Sequence, residues 1–129
     1  MTAYVDTSVV VALLFGDRSA TRALGALGRV KDIWSSALLE AELRSVASRE
    51  GVRRAAIDAA LRPVRWVLPN RRLQPEIEAV LAAGYLRGAD LWHLACALSV
   101  ASRPSTLPFL SLDAAQRQVA AKLGFPVRV

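Results

Sequence analysis

Apolar positions along this chain switch between two periods. Short apolar runs of strand length recur at residues 3–7, Ile33-Trp34-Ser35, Arg65-Trp66-Val67-Leu68, Pro108-Phe109-Leu110-Ser111 and Val127-Arg128-Val129. Between them, apolar residues return at helical spacing. One helix runs from a Ser8 cap to about Phe15 and breaks at Gly16-Asp17. A second covers residues 18–29, weakened by Gly25 and Gly28. A third, capped by Ser36, runs to about Glu50 and is ended by Gly51. Residues 52–62 form a fourth, stopped near Pro63. Pro75 opens a fifth through about Leu86. Asp90 to about Ala101 is a sixth, and Asp113 begins a seventh that Gly124 ends. Strands that alternate with helices predict an α/β domain, with a mostly parallel sheet covered on both faces.

Composition narrows this picture only a little. The chain has 129 residues, the size of one ordinary domain, so residues 1–129 are expected to form one. Its hydrophobic fraction of 53% is ample for a core. No apolar run approaches the roughly 20 residues that span a bilayer. The apolar stretch Val9 to Phe15 has no basic residue before it and follows Asp6, which argues against a signal peptide and for a cytoplasmic protein. Cys96 stands alone, so neither an internal disulfide nor a cysteine metal site is expected. The net charge of +6 comes almost wholly from arginine, and it suits nucleic acid, anionic lipid or an acidic protein as partner. A genome rich in Ala and Arg codons would give the same balance.

The candidate chemistry lies in four carboxylates. Asp6 ends a strand that a parallel sheet would bury on both faces. An N-cap role would explain it at about 1 kcal/mol, but Ser8 can cap without a buried charge. Glu42 falls on the apolar stripe Leu39, Leu43, Val46, Ala47, so it should face the core or its edge. Its structural alternative is a buried pair with an arginine. Glu40 instead lies four residues before Arg44, the spacing of a solvated helical ion pair. Asp90 opens the apolar helix Leu91-Trp92-His93-Leu94-Ala95-Cys96-Ala97-Leu98, and Asp113 has Gln116 three residues on, the spacing of a capping box. Each aspartate alone is explained by capping. Together, Asp6 and Asp113 lie beyond two strand ends and Asp90 at a helix start, points that share one rim of a parallel sheet. Carboxylates gathered there call for a hard divalent cation, and Mg²⁺ is the usual one in phosphate chemistry.

Other residues have weaker claims. His93, the only histidine, is expected to pack with Trp92 and donate one hydrogen bond. Cys96 reads as a small core residue. Ser8 and Ser111 are candidates to hydrogen-bond the neighbouring carboxylates. Arg44, Arg49, Arg53, Arg54 and Arg87 either track a phosphate backbone or line a solvated face.

Tyr4-Val5-Asp6-Thr7-Ser8, Ser36 through Glu42-Leu43, Leu86-Arg87-Gly88-Ala89-Asp90-Leu91-Trp92-His93-Leu94-Ala95, Phe109-Leu110-Ser111-Leu112-Asp113 and Leu123-Gly124-Phe125, in this order, resemble a PIN domain. More narrowly they resemble the VapC-type toxins of toxin–antitoxin pairs. The resemblance covers the whole chain. It implies a compact three-layer α/β/α fold and an acidic cluster of Asp6, Glu42, Asp90 and Asp113. It further implies an Mg²⁺- or Mn²⁺-dependent endoribonuclease, often a homodimer, held inactive by a cognate VapB-type antitoxin. In that chemistry Asp6, Asp90 and Asp113 hold the cation, Glu42 ligates or orients water, and rim arginines hold the RNA. Some relatives carry another acidic residue soon after the last aspartate; here Ala114, Ala115 and Gln116 follow. Two alternatives stand beside this reading. One is a non-catalytic RNA-binding domain on the same fold. The other is a receiver-type phosphoryl-transfer domain, which wants paired acids near the first strand and a lysine after a late one.

Overall fold

Five short strands carry the sheet: β1 (Thr2–Val5), β2 (Asp32–Ser36), β3 (Val64–Val67), β4 (Phe109–Leu110) and β5 (Val127–Arg128). The computed structural model describes residues 1–16 and 18–129. The strands pair in the order β3-β2-β1-β4-β5, and every pairing is parallel. β1 is therefore central, with Ala3, Tyr4 and Val5 fully buried. This order differs from the 2-1-3-4-5 of receiver-type sheets, so the receiver alternative fails on topology.

Strand alternation sorts the core into two halves. Tyr4, Trp34, Val67 and Phe109 pack against α5 (Gln74–Ala83), α6 (Gly88–Val100) and α7 (Ala114–Lys122). Ala3, Val5, Ile33, Val64 and Leu110 face the other way. There they meet α1 (Thr7–Phe15), α2 (Ala20–Leu27), α3 (Ala37–Glu50) and α4 (Arg54–Leu61). The result is the expected three-layer arrangement. Among the described residues no helix is long and apolar enough to cross a membrane.

Several local expectations shift. β1 ends at Val5, and Asp6 rather than Ser8 caps α1, its Oδ2 accepting from the Ser8 N–H at 3.1 Å. Ser8 lies inside the first turn, and its Oγ accepts from the Leu112 N–H at 3.0 Å instead. Gly16 closes α1 in the left-handed region at φ 62°, a conformation glycine adopts without strain; Asp17, the other half of the expected break, lies outside the described residues. Ser36 does cap α3, and Gly51 ends it at φ 71°. α5 stops at Ala83, short of Leu86, because Gly84 turns the chain at a point where α7 leaves no room for a side chain.

Candidate functional site

Asp6 follows directly on β1 and is only 4% exposed. Its backbone N–H donates to the Leu110 carbonyl at 2.9 Å, which carries the β1–β4 pairing one residue further. Asp113 caps α7, taking the Gln116 N–H on Oδ1 at 2.8 Å, and stays exposed. Its own N–H donates to Ser111 Oγ at 3.0 Å. Asp90 is half-buried in the first turn of α6, and Arg87 occupies the N-cap position. Capping therefore does not account for Asp90.

Gln116 ties these residues together. Only half of the expected capping box forms, because the Gln116 side chain turns inward instead of back to Asp113. Fully buried, it accepts from Ser111 Oγ at 2.6 Å. Its Nε2 donates to Asp6 Oδ1 at 3.3 Å and to the Asp90 carbonyl at 3.2 Å. A signal for this was present in the sequence. Gln116 lies three and four residues before Val119 and Ala120, the buried positions of α7, the same reasoning that singled out Glu42.

Glu42 lies at the edge of the core, its side chain 38% exposed. No arginine pairs with it among the described residues. Thr7 Oγ1 donates to its Oε1 at 2.7 Å. Thr7 Oγ1 also lies 3.0 Å from Nε2 of His93, whose Nδ1 lies 2.9 Å from the Tyr4 hydroxyl. His93 is 1% exposed, with Nε2 3.6 Å from both Asp6 Oδ1 and Glu42 Oε1. The expected single bond beside Trp92 is thus corrected. The ring meets Tyr4 edge-on and sits under the carboxylates. Thr7, His93 and Tyr4 were not read as site residues, since nothing local sets them apart from core and cap positions.

The electrostatics fit a cation. The His93 ring, 3.6 Å away, and then the Thr7 hydroxyl hold the Glu42 carboxyl below its ordinary range, while burial works the other way. Burial pushes the Asp90 carboxyl up, and the charges of Asp6, Asp113 and Glu42 push it further, with His93 opposing. Among the described residues no lysine or arginine forms an ion pair with any of the four. Uncompensated carboxylate oxygens of this kind are the donors that Mg²⁺ or Mn²⁺ takes. As placed, however, no three of the described acidic, imidazole or thiol groups stand close enough to enclose an ion. Cys96 is buried in α6, where burial pushes its thiol up to about 12, consistent with a core role.

The arginines divide. Arg44 is engaged by Glu40 and Asp58, Arg49 by Glu50, and Arg54 more distantly by Asp58. Arg53 and Arg87 form no ion pair among the described residues, and Arg87 stands three residues from Asp90 at the start of α6.

Comparison with known proteins agrees with this fold. No curated protein is a significant match to the chain. Among solved structures it is similar to a chain in the crystal structure of VapBC2 from Rickettsia felis bound to a DNA fragment from their promoter. That similarity has a TM-score of 0.68 at 14% identity and covers 100% of both chains, a likeness of fold. A family model described as PIN domain matches residues 3–124. Because that match runs from β1 past the end of α7, and so takes in every element that carries the four carboxylates, the chain belongs to the PIN-domain family.

Proposed function

We propose that this protein is a metal-dependent endoribonuclease and, more narrowly, a VapC-type toxin. One observation carries the reading: Asp6, Glu42, Asp90 and Asp113 lie at one rim and, among the described residues, none of them pairs with a lysine or arginine; burial and then the charges of the other three push the Asp90 carboxyl up. Asp6, Asp90 and Asp113 would hold Mg²⁺ or Mn²⁺, and Glu42 would ligate or orient water. A cation held by these residues would supply Lewis-acid activation of water and charge stabilisation for phosphodiester hydrolysis. Gln116 donates to the buried Asp6 carboxylate, and the Ser8 and Ser111 hydroxyls, which against expectation bond no carboxylate among the described residues, instead fix the β4–α7 loop. Arg87 would meet the RNA backbone beside Asp90. A VapB-type antitoxin, a homodimer and a cytoplasmic setting belong to the same reading. The fold-level likeness to VapBC2 supports the first of these.

The test is cleavage of structured RNA with Mg²⁺, with Mn²⁺ and with EDTA. Asp6→Asn, Glu42→Gln and the control Glu40→Gln are run on folded preparations. Cleavage should need metal, collapse in the first two variants and survive in the third. A non-catalytic RNA-binding role has one observation on its side, the absence of three gathered ligands among the described residues. Binding without cleavage under all three conditions would favour it.

A further inference from the structure

A line of side-chain hydrogen bonds runs from the core to the acidic rim. It starts at Tyr4 on β1, passes through His93 on α6 and Thr7 on α1, and ends at Glu42 on α3. Four elements from both helical layers meet along it. Thr7 has no capping duty, because Asp6 already caps α1. Its hydroxyl is nonetheless buried and aimed at Glu42.

The proton arrangement follows from counting donors. An ionised Glu42 only accepts, so the single Thr7 proton goes to Oε1, at 2.7 Å. The Thr7 oxygen must then accept from His93, which places the ring proton on Nε2, 3.0 Å away. His93 Nδ1 is left to accept from the Tyr4 O–H at 2.9 Å, with Ser36 Oγ more distant at 3.4 Å. Every hydroxyl and ring proton on the line has an acceptor. With Glu42 ionised, no other rotation of Thr7 serves both neighbours.

We propose that Thr7 is a positioning residue that fixes the Glu42 carboxylate, and that Tyr4 and His93 hold Thr7 in the orientation this requires. The line also sets Glu42 against Asp90, since His93 follows Asp90 by one turn of α6. With Oε1 held, Oε2 is the oxygen left to face a cation or a water at the rim. This role rests on the ribonuclease reading above; the proton arrangement does not.

Two measurements test it. His93 is the only histidine, so ring nitrogen–proton correlation spectra of metal-free protein need no assignment. They should show the proton on Nε2 with Nδ1 as acceptor, and Thr7→Val should shift the Nε2 signal and speed its exchange. A proton found on Nδ1 alone overturns the arrangement, and with it the proposal. The second measurement is kinetic, on variants whose folding is checked by melting. Losing a hydrogen bond to a charged group predicts that Thr7→Val lowers kcat about ten- to a hundredfold with KM nearly unchanged. Thr7→Ser, which keeps the hydroxyl, should restore kcat to within about threefold. A Thr7→Val protein with wild-type kcat, or a Thr7→Ser protein as slow as Thr7→Val, would show that Thr7 only packs. Wild-type protein that leaves RNA intact with either metal would instead overturn the ribonuclease reading, and the spectra would still decide the proton arrangement.

Discussion

Gln116 is a buried amide whose two donated protons reach Asp6 and the Asp90 carbonyl. Glutamate has nearly the same shape but cannot donate when ionised, and it adds a charge beside Asp6. Gln116→Glu should therefore lower stability by about 1–3 kcal/mol without metal. Mg²⁺ should recover more of the variant's stability than it adds to wild type. Urea unfolding in EDTA and in Mg²⁺ measures both, and a wild-type midpoint in EDTA would mean these amide protons do not hold Asp6. Asp90 gives a second test at this scale. Its carboxyl is raised above the ordinary value of 3.8, so the native state holds that proton more tightly than the unfolded chain does. Its contribution is full below 3.8 and is lost as pH rises through the raised value. Glu42 behaves in the opposite sense. Its depressed carboxyl contributes above 4.5 and loses that contribution as pH falls through the lowered value. Asp90→Asn should flatten the fall in stability of metal-free protein from mildly acidic toward neutral pH. Melting curves across that range decide it; an unchanged slope would assign the fall to other groups.

At the scale of elements, helical periodicity placed Glu42 at the edge of the core. Leu39, Leu43 and Ala47 are the buried face of α3, and Glu42 shares that stripe while Glu40 turns out to pair with Arg44 at 2.9 Å. The end of α5 is set by packing instead. A Cβ at Gly84 would lie 2.8 Å from Val119 Cγ2 on α7. Val119 is β-branched and stiff about χ1 in a helix, so it cannot swing aside. Gly84→Ala should destabilise by about 1–3 kcal/mol through overpacking. Adding Val119→Ala should cost less than the two single changes summed, since the two residues share one space. Urea unfolding of the four proteins gives this coupling, and strictly additive effects would mean that α5 and α7 pack more loosely than described.

Across the whole molecule, the sheet order brings charge of one sign to one rim of a basic protein. The net charge is +6, yet the rim carboxylates pair with no lysine or arginine among the described residues. Carboxylates left unpaired repel, and a cation that binds the folded cluster but hardly the unfolded chain stabilises the fold. Mg²⁺ should add about 2.7 kcal/mol at a hundredfold excess over its dissociation constant. Asp6→Asn should lose most of that gain. Melting in EDTA and in millimolar Mg²⁺, at matched ionic strength, measures it. Equal shifts for wild type and Asp6→Asn would mean that the cation binds elsewhere.

The sequence alone determined the alternation of strands and helices, the parallel sheet and the two-faced burial of β1. Those follow from periodicity and cap chemistry, which act over a few residues. It also drew attention to Asp6, Glu42, Asp90 and Asp113, because a charge at a strand end or on an apolar stripe conflicts with its neighbours. Capping was harder to read, since Asp6 and Ser8 are both competent caps, and only the backbone path decided for Asp6. The tertiary structure decided which side chains meet. Gln116 reaches Asp6 across 110 residues of sequence, His93 reaches Thr7 across 86 and Thr7 reaches Glu42 across 35. Local pattern gives the face a residue occupies but not what waits opposite. That depends on the order β3-β2-β1-β4-β5 and on which helix crosses above each strand end, and these are set by how the whole chain buries its apolar surface.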